Sequence, residues 1–153
     1  MNPQAAQQQY LRTRVLTATP EQLQMMLYDG AIRFAEQARS ALEAHDYERS
    51  YNTISRVQKI ITELSCTLKR DQSPELCDKL SALYGYVYKK LVEANVQHSL
   101  QALEEALGLL RYQRETWAML LDQLGKQKAA AAATRLDMPA PDQRMEASIS
   151  MRG

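Results

Sequence analysis

The chain has 153 residues, with 19 lysines and arginines against 18 aspartates and glutamates, for a net charge of +1. That length suits one domain with a real core and is short for two. The balanced charge offers no bulk attraction to a polyanion, so nucleic acid is not an expected partner. Only five glycines and five prolines interrupt long stretches of Ala, Leu, Glu, Gln, Lys and Arg, which is an all-α composition. The opening residues 1–9 have neither a basic start nor an apolar stretch, so no secretory signal is expected. No run of about 18 apolar residues occurs, so no membrane insertion is expected and the cytosol is the expected location. Cys66 and Cys77 read as reduced thiols in that compartment.

Residues 1–18 read as a polar N-terminal arm. Leu11 and Val15 lie four apart, which permits a short helix, but the Gln-rich surface predicts weak order. A first long helix should start at Pro20, with Thr19 as N-cap, Pro20 at the first helical position and Gln22 completing a capping box. It runs to about Ala44 with an expected core stripe of Leu23, Leu27, Gly30/Ala31, Phe34, Ala38 and Ala41/Leu42. Asp46 is the expected N-cap of a second helix reaching about Leu68, with Ile54, Val57, Ile61, Leu64 and Leu68 inward. The link at His45-Asp46 is so short that these two helices should be antiparallel neighbours. Ser73-Pro74-Glu75 repeats the cap-then-proline start for a third helix, with Leu76, Leu80, Leu83, Val87, Leu91 and Ala94 inward. After a turn near Gln97 to Ser99, a fourth helix carries Leu100, Leu103, Leu107, Leu110, Trp117, Leu121 and Leu124, with Gly125 as its C-terminal cap. Residues 126–153 form an Ala-rich extension and, past Pro139, a disordered tail. The expected fold is thus an antiparallel up-down-up-down four-helix bundle over residues 19–125 with a short N-terminal segment.

The first long helix carries more apolar surface than this architecture needs. Met25, Tyr28, Ile32 and Ala35 form a second line beside the core stripe, and the two lines together cover well over half of the helix. The third helix has a milder flank of Tyr84, Tyr88, Val92 and Asn95, and the second adds Ile60. Eight tyrosines against one phenylalanine and one tryptophan suit a surface that is alternately wet and covered, and seven methionines add deformable contact area. Three readings of this surplus stay open: core and intrachain packing, a groove for another protein, or a homodimer face. On the groove reading, Ile32→Asp weakens partner binding and leaves the helices intact.

Catalytic and metal chemistry lacks its usual residues. The two histidines, His45 and His98, have no acidic residue three positions before them, so no carboxylate-bridged di-metal site is expected. Cys66 and Cys77 are eleven apart without a Cys-x-x-Cys, and the glycines are isolated rather than gathered in a phosphate loop. No nucleophile motif or acid/base pair accompanies them, so the expectation is a binding protein with no cofactor, no metal and no catalytic residue. Arg114 falls within the core stripe of the fourth helix, where a guanidinium must pair or snorkel outward.

Taken together, Tyr10, Val15, Thr17-Ala18-Thr19-Pro20, Met26-Leu27-Tyr28-Asp29-Gly30, Phe34, Ile60-Ile61, Glu63-Leu64, Leu83-Tyr84, Tyr86, Leu91-Val92-Glu93-Ala94-Asn95, Leu103-Glu104-Glu105, Arg114 and Trp117 resemble the FliS family of flagellar export chaperones over residues 10–124. The resemblance implies a helical bundle that binds the disordered C-terminal segment of flagellin in the cytoplasm, prevents premature polymerisation, and hands the subunit to the flagellar type III export gate. It also implies an N-terminal cap over part of the groove, to which Tyr10 would belong. Tyr28, Asp29 and Gly30 match the family's signature in the first long helix, and Tyr84, Leu91 and Asn95 its signature in the third. The expected groove and cap residues are therefore Tyr10, Leu11, Val15, Met25, Tyr28, Asp29, Ile32, Ile60, Tyr84, Tyr88, Leu91 and Asn95. Two positions depart from the family pattern, where acidic residues are usual: Gly85 between the helix-three tyrosines, and Gln97-His98-Ser99 after the Ala-Asn turn.

Overall fold

A computed structural model describes residues 2–68 and 73–137. It holds five helices: α1 (Pro3–Thr17), α2 (Pro20–Glu43), α3 (Tyr47–Cys66), α4 (Pro74–Gln97) and α5 (Leu100–Asp137). The chain divides into a unit ending at Trp117 and a second beginning at Ala118.

The helix starts follow local chemistry. At α2, the Gln22 amide donates to Thr19 Oγ1 and the Thr19 amide to Gln22 Oε1, each at 3.1 Å, so the capping box is complete. Asp46 Oδ1 accepts from the Arg49 amide at the start of α3, and Ser99 Oγ from the Ala102 amide at the start of α5. Ser73 holds the cap position of α4 without a side-chain bond. The links after α2 and α4 turn on His45 and His98, both with positive φ (56° and 51°). Tyr47 stacks on the His98 ring at 3.8 Å, so the start of α3 lies beside the end of α4 and those two helices run antiparallel.

Helices α2 to α5 share one core: Tyr28, Ala31, Ala35, Ala38 and Leu42; Ile54, Val57, Ile61 and Leu64; Tyr84, Val87, Leu91 and Ala94; and Ala102, Leu103, Ala106, Leu107 and Leu110. The α3 stripe lies where the periodicity predicts it. The α2 stripe does so only in part: Gly30, Ala31, Ala38, Ala41 and Leu42 are buried as expected. Its inner face is built of small residues, and Tyr28 and Ala35, expected on the spare flank, are fully buried. Leu23, Leu27 and Phe34, expected at the centre, are half-buried at the margins. Alanines and a buried glycine let neighbouring helices approach closely, and interaxial distance follows the size of the contact residues. An alanine face therefore gains packing on several sides at once, whereas larger side chains there would hold the helices apart. In α4, Cys77 and Tyr84 lie inside and Leu76 is 55% exposed. The buried set repeats by sevens as Cys77, Tyr84 and Leu91.

One permitted element forms and one expected stop does not. The arm is a helix, capped by the Asn2 side chain, and none of its residues is buried. Gly125 does not end the last helix, which continues to Asp137 through the alanine run. Leu121 and Leu124 fall in the second unit and are not core residues. The expected disorder beyond Pro139 concerns residues outside those described.

Candidate functional site

The signature residues of α2 and α4 meet inside the core. The Tyr28 and Tyr84 hydroxyls are bonded to each other at 2.5 Å, and Gln24 Nε2 donates to the Tyr28 hydroxyl at 3.3 Å. Both rings are shielded from solvent. Burial, reinforced by the bond to Tyr28, pushes the Tyr84 phenol above its ordinary value. This pair fastens α4 to α2 through a satisfied polar contact in an apolar interior. Leu91 is also fully buried. Tyr28, Tyr84 and Leu91 thus form architecture beneath any groove.

Met25, Asp29, Ile32 and Glu36 follow one another at helical spacing and form a single line along α2. Asp29 Oδ1 accepts from Arg114 Nε at 2.6 Å, and Glu36 Oε1 from Arg111 at 2.7 Å. At the end of that line, Trp117 Nε1 donates to the Glu21 carbonyl at 3.0 Å. As residue numbers rise on α2 they fall on α5, so these helices are antiparallel. The line expected to be spare is the α2–α5 seam. Met25 and Ile32 are half-buried there, and Ile32 packs against the core. Arg114 avoids burial by pairing outward with Asp29, which holds its pKa above the usual guanidinium value. Such exposed pairs contribute at most about 1 kcal/mol each, and they fix register more than stability.

Ile60 sits on the opposite edge of α2, half-buried, with its Cδ1 3.5 Å from where a Gly30 Cβ would stand. Gly30 is thus a contact point between α2 and α3. On the α5 side of α4, Lys90 bridges Glu105 at 3.0 Å and Glu93 at 3.3 Å, and these bonds raise its pKa.

Exposed apolar side chains occur on α1, α3, α4 and α5, Tyr112 and Met119 of α5 among them, and those of α3 and α4 border a groove. Tyr88, Val92 and Val96 follow one another at four-residue steps along α4 and remain open to solvent, Tyr88 and Val92 at 41% and 40%. Asn95 is half-buried beside them. Tyr51 of α3, 62% exposed, joins Tyr88 in lining a groove of about 630 Å³ with Ser55, Arg56, Gln58 and Lys59. The groove is broad and partly polar, suited to an extended or helical segment. Tyr51 escaped the pattern reading because it stands alone off the α3 stripe. Its only sequence signal is the four-residue spacing from Tyr47. On α1, Tyr10, Leu11, Val15 and Leu16 are also exposed.

No group of three or more His, Cys, Asp or Glu side chains able to hold a metal occurs among the described residues, and none of their helices is long and apolar enough to cross a membrane.

Residues 2–124 match the family described as flagellar protein FliS. The chain is 39% identical over 116 residues to the flagellar secretion chaperone FliS of Bacillus subtilis, covering 76% of this chain and 84% of that protein. It is 34% identical over 111 residues to the chaperone of the same name from Salmonella typhimurium, covering 72% and 82%. A solved structure described as a flagellar chaperone from bacteria superposes with a TM-score of 0.65 at 17% identity, over 80% of this chain and 99% of that one, which is a likeness of fold. These relatives are chaperones and not enzymes. With its helical core, its buried signature tyrosines and a match that spans most of its length, the chain belongs to the FliS family of flagellar secretion chaperones.

Proposed function

We propose that this chaperone binds the disordered C-terminal segment of flagellin in the cytosol, prevents its premature polymerisation and delivers it to the flagellar type III export gate. The observation that carries the reading is the exposed row Tyr88, Val92 and Val96 beside the Tyr51 groove, on a helical chain of this family. Contiguous apolar surface on a small protein marks a place for a partner. Tyrosines suit the task because each ring offers contact area at low entropic cost and a hydroxyl that stays satisfied when wet.

In this reading residues 19–125 form the antiparallel up-down-up-down four-helix body, residues 1–18 the cap, and residues 126–153 an extension and tail. The α1 side chains Tyr10, Leu11 and Val15 exchange with the client for the same surface. An arm that competes in this way lowers apparent affinity by the fraction of time it stays docked, which keeps the complex releasable at the gate. Client folding on the surface costs about 2–5 kcal/mol of the gross interaction, in the same direction.

Titration calorimetry with the C-terminal segment of the cognate flagellin tests the proposal. The expected result is one segment per chain with a strongly negative heat-capacity change. No heat and no complex at tens of micromolar would reject it.

A further inference from the structure

The groove walls carry positive charge and no negative charge. Arg56 and Lys59 line it, and no carboxylate does. Arg56 also sits over the Phe34 ring at 5.3 Å, and Arg33 of α2 approaches the same ring at the same distance. Two guanidinium groups therefore converge on one aromatic side chain at the edge of a groove that already holds a lysine. Their mutual repulsion opposes that arrangement, and the ring's negative face offsets only part of it. Lys90 pairs with Glu93 and Glu105, Arg111 with Glu36, and Arg114 with Asp29, all away from the groove. Arg33, Arg56 and Lys59 take part in no ion pair among the described residues.

We infer that the client segment carries carboxylates which pair with Arg33, Arg56 and Lys59, so that the α3–α4 groove recognises an acidic stretch flanked by apolar anchors. This rests on the flagellin-binding reading. An acidic peptide fits better than a nucleic acid, because the cations form one short cluster among tyrosines, amides and hydroxyls on a nearly neutral protein. A backbone-tracking polyanion site needs a longer basic stripe. The guanidinium groups would take carboxylates in two-pronged fashion, with Tyr51 and Tyr88 covering the neighbouring apolar side chains. Charge at the rim of a groove acts on encounter rate and register, so its signature is salt dependence.

The test uses the full chain, the cognate flagellin C-terminal segment, and the triple variant Arg33→Gln, Arg56→Gln, Lys59→Gln. All three positions are solvent-facing, and circular dichroism verifies unchanged helicity. Wild-type affinity should fall on the order of tenfold between low and high salt, and the variant should bind more weakly by a similar factor with little salt response. A segment whose acidic residues are replaced by their amides should bind the wild type as the natural segment binds the variant. If the variant binds with wild-type affinity and salt response, the inference is overturned while flagellin binding stands. If the segment binds neither protein, the flagellin reading fails and the inference falls with it.

Discussion

Tyr84→Phe removes one oxygen from the interior and tests whether the signature tyrosines are structural. The Tyr28 hydroxyl then loses its 2.5 Å partner inside a sealed site and keeps only the 3.3 Å bond from Gln24. An unsatisfied buried hydroxyl costs about 1–3 kcal/mol, and the residual Gln24 contact places the expected loss near the middle, at roughly 1.5 kcal/mol. For a chain of this size that lowers the melting temperature by about 3–6 °C. Tyr28→Phe should cost a similar amount by leaving Tyr84 alone. The double variant removes both hydroxyls and leaves a shape-matched apolar pair, so its cost should fall short of the sum by about 1 kcal/mol. Urea denaturation followed by circular dichroism gives all four stabilities. Additive losses would show that the two hydroxyls do not depend on each other, and the assignment of this pair as the tie between α2 and α4 would be wrong.

Three further outcomes are expected. Stability should hold up to about pH 10 and then fall by as much as ~1.4 kcal/mol per pH unit, because the folded state keeps the Tyr84 proton more tightly than the unfolded chain does. The stability difference between wild type and Tyr84→Phe should shrink over that window, and a constant difference from pH 9 to about 11 would contradict the cause. Gly85→Ala and Gly108→Ala should each stabilise by about 0.5–1 kcal/mol in thermal melts, since both lie mid-helix and an added Cβ meets nothing within 4 Å. Ile32→Asp should destabilise by roughly 2–3 kcal/mol, because it exposes the α2–α5 seam and sets a third carboxylate between Asp29 and Glu36. An Ile32→Asp protein that melts like wild type yet no longer binds flagellin would return that line to the partner surface.

Helix positions were legible from local chemistry. Thr19 and Gln22, Asp46, and the prolines at 20 and 74 mark helix starts through backbone donors that must be satisfied within one turn. The α3 stripe was equally plain, because Ile54, Val57, Ile61 and Leu64 recur at three-four spacing on a helix whose other faces are mostly polar. The α2 register was legible only in part. Ala31, Ala38 and Leu42 lie inside as expected. Leu23, Leu27 and Phe34 outrank Ala35 on any scale of hydrophobicity, yet close approach of helices selects the smaller residue. Periodicity within one helix says nothing about its neighbours' shape. The candidate surface moved accordingly. Tyr28 and Tyr84 went into the core, Leu91 stayed on its expected inward stripe, and Met25 and Ile32 went to a seam held by Arg111 and Arg114, whose partners lie far away in sequence. Tyr88, Val92 and Asn95 kept the flank expected of them, while Tyr51 and the Arg33–Phe34–Arg56 cluster depend on α2, α3 and α4 being side by side.

Hydrogen exchange measured on the full chain with and without the cognate flagellin segment bears most directly on where a client is held. The account predicts slowed exchange along α3 from Tyr51 to Thr62 and along α4 from Tyr88 to Val96, with the α2–α5 seam unchanged. Protection confined to α2 and α5, with the α3–α4 face exchanging as in the free protein, would contradict it.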